Sequence, residues 1–154
     1  MVMREPNNKV GLLPKRMLYT MIRVTDLDRS VAFYRDVLDM REVRRETFSE
    51  GRFTLAFLGY SNKPGEMLIE LTYNWGDNSY EHGAGYGHLA LEVEDIFAAC
   101  DRLCGMGVKV IRDPGPMTWP VDETGHRENI AFIEDPDGYQ IELVKKMTQR
   151  EVSP

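Results

Sequence analysis

Apolar and polar positions alternate with two different periods along this chain, and the alternation runs twice. Leu18–Val24 is apolar and β-prone, with Tyr19, Met21 and Arg23 on one period-two face, so it reads as a strand. Thr25-Asp26 supplies a helix cap, and Leu27, Val31, Tyr34, Val37 and Leu38 then recur at helical spacing, predicting a helix over about 28–38. Three strands follow, at 40–47, 52–58 and 66–74, separated by Ser49-Glu50-Gly51 and Asn62-Lys63-Pro64-Gly65. A stretch rich in Gly, Asn and Ser, 76–85, reads as a linker. The pattern then restarts: strand 87–93, a cap at Glu94-Asp95, a helix over 96–104 ended by Gly105 or Gly107, a strand 108–112, a long loop 113–128, and strands 129–134 and 139–146. Each half reads β-α-β-β-β, which is an α+β arrangement. The expected organisation is an arm at 1–16, modules at 17–75 and 87–146 joined by 76–86, and a frayed tail at 147–154.

The two halves also match residue by residue. Ile22-Arg23-Val24-Thr25-Asp26-Leu27 lies over Leu91-Glu92-Val93-Glu94-Asp95-Ile96 at an offset of 69. Leu55-Ala56-Phe57-Leu58 lies over Ile130-Ala131-Phe132-Ile133, and Ile69-Glu70-Leu71 over Ile141-Glu142-Leu143, the last at an offset of 72. Repeats of this kind imply like modules paired about a pseudo-twofold axis.

The repeat changes how the polar residues are read. Taken singly, Glu70 and Glu142 are exposed edge-strand carboxylates and His88 is a satisfied core histidine. Taken together, each half offers one residue early in its first strand and one glutamate in its last: Tyr19 with Glu70, and His88 with Glu142. Two carboxylates and an imidazole suit a divalent transition metal, Ni²⁺ or Zn²⁺ foremost, with Co²⁺ and Mn²⁺ also in range.

Composition narrows the classes. The 154 residues carry a net charge of −6 and no basic stripe, which argues against nucleic-acid partners. No apolar run approaches the roughly 20 residues that cross a bilayer. No export signal is read in 1–16, so a cytoplasmic location is expected. Cys100 and Cys104, four apart on the second predicted helix, read as buried thiols in a reducing compartment rather than as a metal or redox site. There is no phosphate-cradling glycine loop and no nucleophile elbow.

Several longer stretches carry a resemblance: Met21-Ile22-Arg23-Val24 with Asp26-Leu27-Asp28-Arg29-Ser30; Phe53 to Tyr60; Ile69-Glu70-Leu71-Thr72-Tyr73-Asn74-Trp75-Gly76; Tyr86-Gly87-His88-Leu89-Ala90-Leu91; and Glu134-Asp135-Pro136-Asp137-Gly138-Tyr139. Over 16–146 the chain resembles glyoxalase I (lactoylglutathione lyase), of the vicinal oxygen chelate superfamily. The resemblance implies paired βαβββ modules of the glyoxalase/bleomycin-resistance/dihydroxybiphenyl-dioxygenase kind, a homodimer with metal sites at the subunit interface, and glutathione as cosubstrate of methylglyoxal. It places metal ligands at Tyr19, Glu70, His88 and Glu142, with Glu142 as the base. It assigns Arg23 and Asn74 to the glutamyl end of glutathione and a basic residue, His126 or Arg127, to its glycine carboxylate. Other activities on this fold, such as dioxygenase, epimerase or thiol transferase, lack the Thr72-Tyr73-Asn74-Trp75-Gly76 signature.

Two departures bear on activity. The family has a histidine where this chain has Tyr19, and a neutral phenol is a poor ligand unless the metal deprotonates it. Three outcomes are open: a phenolate ligand, three protein ligands with an extra water, or an empty site in a relative with lost or altered activity, such as a binding protein. The loop at 113–128 is also longer than in compact bacterial-type members, and reads either as a lid or as a solvated insertion.

Overall fold

The alternation of the first strand puts Ile22 on one face and Tyr19, Met21 and Arg23 on the other, and that division organises both halves of the molecule. In the computed structural model, which describes residues 11–145, strand β1 (Tyr19–Arg23) leads into helix α1 (Leu27–Ala32) and strands β2 (Arg41–Phe48), β3 (Phe53–Gly59) and β4 (Leu68–Asn74). The second half repeats this with β5 (Leu89–Val93), α2 (Ile96–Gly105), β6 (Val110–Pro116), β7 (Asn129–Glu134) and β8 (Gln140–Lys145). The sheet orders are β1-β4-β3-β2 and β5-β8-β7-β6. In each, the first strand runs parallel to the last, and the other neighbours are antiparallel. The paired four-stranded sheets are the α+β architecture that the repeat predicts.

Both helices cap as their sequences require. Asp26 accepts from the Arg29 N–H and Asp95 from the Ala98 N–H, each at 3.0 Å. Each helix covers one face of its sheet, and on α2 that face carries Cys100 but not Cys104, which is exposed and not buried as expected because it lies off the Ile96, Cys100 and Leu103 stripe. Ile22, Leu27, Val31, Ile69 and Leu71 from the first half join Ile96, Leu103, Ile133, Ile141 and Leu143 from the second in a continuous buried cluster. Fully burying each such side chain contributes about 1.5–3 kcal/mol, so the two halves share the core that stabilises them.

The opposite sheet faces stay open. Tyr19, Met21 and Arg23 on β1 are exposed, as are Ala90 and Glu92 on β5. Among the described residues, no helix is long and apolar enough to cross a membrane.

The predicted helix over 28–38 is divided. After Ala32 the chain widens into a π-helical segment, Phe33–Val37, closed by the Leu38 N–H on the Phe33 carbonyl at 3.1 Å. Phe33 and its neighbour Tyr34 are both buried, and the wider turn accommodates two adjacent aromatic rings in the core. The strand expected at 108–112 instead runs from Val110 to Pro116. Pro114 and Pro116 lack ladder donors, but β6 is an edge strand and tolerates them. Two register shifts accompany them, and the Arg112 guanidinium fills the irregularity by donating to the carbonyls of Ile130 and Pro116, each at 2.8 Å.

The rest of the predicted long loop continues the β6–β7 hairpin. The Met117 N–H donates to the Glu128 carbonyl and the Val121 N–H to the His126 carbonyl, both at 2.8 Å. Residues 11–16 are exposed and irregular; the remainder of the expected arm and the tail from 147 lie outside the described residues.

The turn Asp135-Pro136-Asp137-Gly138 joins the halves. Asp137 Oδ1 accepts from the Thr25 hydroxyl at 2.6 Å and the Thr25 N–H at 3.2 Å, while Oδ2 accepts from the Ser30 hydroxyl at 3.2 Å. Tyr34 donates to Asp135 Oδ2, and Tyr139 to the Arg23 carbonyl, each at 2.7 Å. Burial raises the Asp135 carboxyl above its ordinary value, against the pull of hydrogen bonds from Tyr34 and two backbone N–H groups. Burial, with Asp135 beside it, also pushes the Tyr34 phenol well up. The Asp-Pro-Asp-Gly stretch therefore clamps one half onto the other.

Candidate functional site

Strand register sets the geometry of the candidate ligands. Glu70 lies opposite Met21 on β1, and Glu142 opposite Ala90 on β5. Tyr19 precedes Met21 by two residues and His88 precedes Ala90 by two, so Tyr19 stands to Glu70 as His88 stands to Glu142. On the other side, Glu70 faces Phe57 of β3 and Glu142 faces Phe132 of β7. The aromatic contacts follow: Tyr19 meets the Phe57 ring edge-on at 5.1 Å, and His88 meets Phe132 edge-on at 5.0 Å. The positions are equivalent down to the ring beneath them.

The pairs differ in what the carboxylate does. His88 Nε2 lies 3.4 Å from Glu142 Oε2. Glu70 accepts from the Thr72 hydroxyl at 3.4 Å instead. Phe57 also carries the Arg44 guanidinium, 3.9 Å from its centroid, and Arg44 pairs with Glu46 at 2.6 Å. The matching arginine of the second half, Arg112, is spent on backbone carbonyls.

Within one chain the four side chains expected together are not brought together. Among the described residues, no three His, Cys, Asp or Glu side chains converge on a common point. Each sheet instead presents two candidates on its open face. An imidazole beside a carboxylate could supply half of a four-donor shell, and Tyr19 with Glu70 could supply the other half. The donor chemistry fits a divalent cation when one pair of each kind meets.

The other expected residues lie around these pairs. Arg23 shares its strand face with Tyr19 and faces Thr72. Asn74 ends β4 on the Glu70 face, and its Nδ2 donates to the Tyr80 hydroxyl at 3.2 Å. The chain turns there because Gly76 adopts φ +94°, a conformation open to glycine, and the Trp75 indole anchors on the Thr54 hydroxyl at 3.0 Å. Arg127 is exposed on the β6–β7 hairpin, beside a His126–Glu128 pair at 3.3 Å. His82 stacks on Tyr139 at 4.0 Å, so both spare histidines are engaged away from Tyr19.

Phe57, Phe132, Arg44 and Tyr80 were not singled out from the sequence. The two phenylalanines sit inside the repeat and could have been found there; Tyr80 lies in the stretch read as linker and carries no such signal.

The Glyoxalase/Bleomycin resistance protein/Dioxygenase superfamily matches residues 16–143. The chain belongs to this superfamily. It is 47% identical over 135 residues to a probable lactoylglutathione lyase of Synechocystis sp., covering 88% of this chain and 98% of the relative. It is equally 47% identical over 135 residues to the lactoylglutathione lyase of Haemophilus influenzae, covering 88% and 96%. Among solved structures, glyoxalase I from Zea mays superposes with a TM-score of 0.76 at 36% identity, over 86% of this chain. The chain spans only 45% of that maize chain.

Proposed function

We propose that this protein is a lactoylglutathione lyase, a metal-dependent glyoxalase I that converts the hemithioacetal of methylglyoxal and glutathione to S-D-lactoylglutathione. The observation that carries the reading is the register-matched pairing of Tyr19/Glu70 and His88/Glu142 on open sheet faces, in a chain 47% identical to a lactoylglutathione lyase over nearly that relative's whole length.

Two copies of the chain form a homodimer, in which the His88/Glu142 pair of one meets the Tyr19/Glu70 pair of the other. Those four residues hold the divalent cation, nickel or zinc. When bound, the cation supplies the positive charge that makes the C1 proton of the hemithioacetal removable. Glu142 would take that proton from C1 as general base and return it to C2, while the hydroxyl proton passes from the C1 oxygen to the C2 oxygen, so the isomerisation to the thioester balances. His88 beside Glu142 orients the carboxylate. Arg23 and Asn74 hold the glutamyl end of glutathione, and Arg127 takes the glycine carboxylate. Tyr19 stands where an imidazole would and offers its phenol oxygen as the fourth donor. The reaction belongs to the cytoplasm, where glutathione is abundant.

The test is a purified sample loaded with nickel or zinc, assayed for thioester formation from methylglyoxal and glutathione by ultraviolet absorbance. Thioester formation that disappears on chelation is expected; metal bound at stoichiometry without turnover would sink the reading.

A further inference from the structure

A cavity of about 450 Å³ opens beside Tyr19, at the start of β1. Leu18, Val43 and Leu68 give it apolar walls, and Arg16, Arg44 and Lys63 bring cations to it from three separate segments. Local bonds hold those segments in place. The Leu68 N–H donates to the Leu18 carbonyl at 3.2 Å, which ties the residues before β1 to the start of β4. The turn ahead of β4 closes with the Glu66 N–H on the Lys63 carbonyl and the Lys63 N–H on the Ser61 hydroxyl, both at 3.1 Å. Arg44 lies over the Phe57 ring, the same ring that Tyr19 meets edge-on. Glu66 is the one carboxylate on the wall, and Glu46 takes the Arg44 Nε at 2.6 Å. Among the described residues, neither Arg16 nor Lys63 forms an ion pair. The cavity therefore carries surplus positive charge in a chain of net charge −6.

We infer that this cavity takes the substituent on C2 of the hemithioacetal, and that Arg16 and Lys63 select 2-oxoaldehydes whose substituent ends in an anionic group, a carboxylate or a phosphate. The inference rests on the lyase reading. That reading gives Arg23 to the glutamyl end of glutathione, and Arg23 shares the β1 face with Tyr19 four residues away, roughly 13 Å. The reacting carbons lie between, where Tyr19 and Glu70 hold the cation. The C2 substituent is the part of the hemithioacetal farthest from the glutamyl end, so it extends past Tyr19 toward the cavity. A methyl group there meets no cation. A short methylene spacer lies along the apolar wall and sets a terminal oxyanion among the basic side chains. The isomerisation is the one already written, since no bond of the substituent changes.

The experiment compares 4,5-dioxopentanoate with its neutral methyl ester as partners of glutathione, using the metal-loaded protein and its Arg16→Gln/Lys63→Gln double variant. Wild type should favour the acid in kcat/KM by about tenfold, the scale of a few exposed ion pairs together. The double variant should bring that ratio to about one, with the change on KM and with methylglyoxal turnover kept within about twofold. Isothermal titration of S-(4-carboxy-2-oxobutyl)glutathione and its methyl ester should give the same preference without turnover. A wild-type ratio near one in either measurement, or a preference that the double variant retains, overturns the inference. Methylglyoxal separates the two readings: if it is turned over while the acid is not preferred, only this inference falls, and if it is not turned over, the lyase reading falls and this inference with it.

Discussion

Glu70 and Glu142 occupy the same register position in two copies of one design, yet their surroundings have diverged. In the second half an imidazole reaches the carboxylate; in the first a phenol stands in the equivalent place and the carboxylate turns to Thr72. The supporting ring is the same in both, and the arginine next to that ring has been put to different uses. The repeat thus fixes where a donor sits, while the local partners determine what chemistry it can perform. On the proposed reading, one half would move a proton and the other would complete a coordination shell.

The largest expected effect separates those roles. Glu142→Gln should lower kcat by about 10³-fold, within the range for loss of a general base, while Glu70→Gln should act mainly on metal affinity. Metal titrations alongside kcat distinguish the two, and equal kcat losses at full metal loading would break the comparison.

The clamp between the halves comes next. Removing the Tyr34 hydroxyl leaves buried Asp135 short of a donor, at a cost of about 2 kcal/mol at neutral pH. An acid whose folded pKa is raised binds more protons folded than unfolded between its two values, so its burial weighs against stability above that window and less within it. Tyr34→Phe raises the carboxyl further, and its deficit should shrink as pH falls through the raised value. Urea unfolding at neutral and mildly acidic pH reads this directly.

Tyr19→His should make the halves alike. It is expected to tighten nickel or zinc binding roughly tenfold, or about 1.4 kcal/mol, and isothermal titration checks it. Smallest of all, Arg127→Ala should raise KM about fivefold with kcat held, as suits an exposed charge worth about 1 kcal/mol.

Much of this was legible in the sequence. Ile69-Glu70-Leu71 and Ile141-Glu142-Leu143 gave the repeat, and their registers against Met21 and Ala90 agree with its offsets. Asp26 and Asp95 cap as read. What escaped depends on distant partners. The π-helical segment follows from two adjacent rings sharing a core built by other strands. The extension of β6 through Pro114 was hidden because proline signals a turn unless the strand is known to be an edge. Tyr80 was invisible because its hydrogen bonds to Asn74 and Asp77 form only once the chain has turned at the end of β4.

The parallel pairing of β1 with β4, and of β5 with β8, joins the two ends of each module. As the chain emerges from the ribosome, β1 waits for a helix and two strands before its neighbour exists. Tyr19 and Glu70, and likewise His88 and Glu142, sit on these last-closing pairs. A nascent or truncated module therefore cannot bring its proposed donor pair together before its last strand is in place.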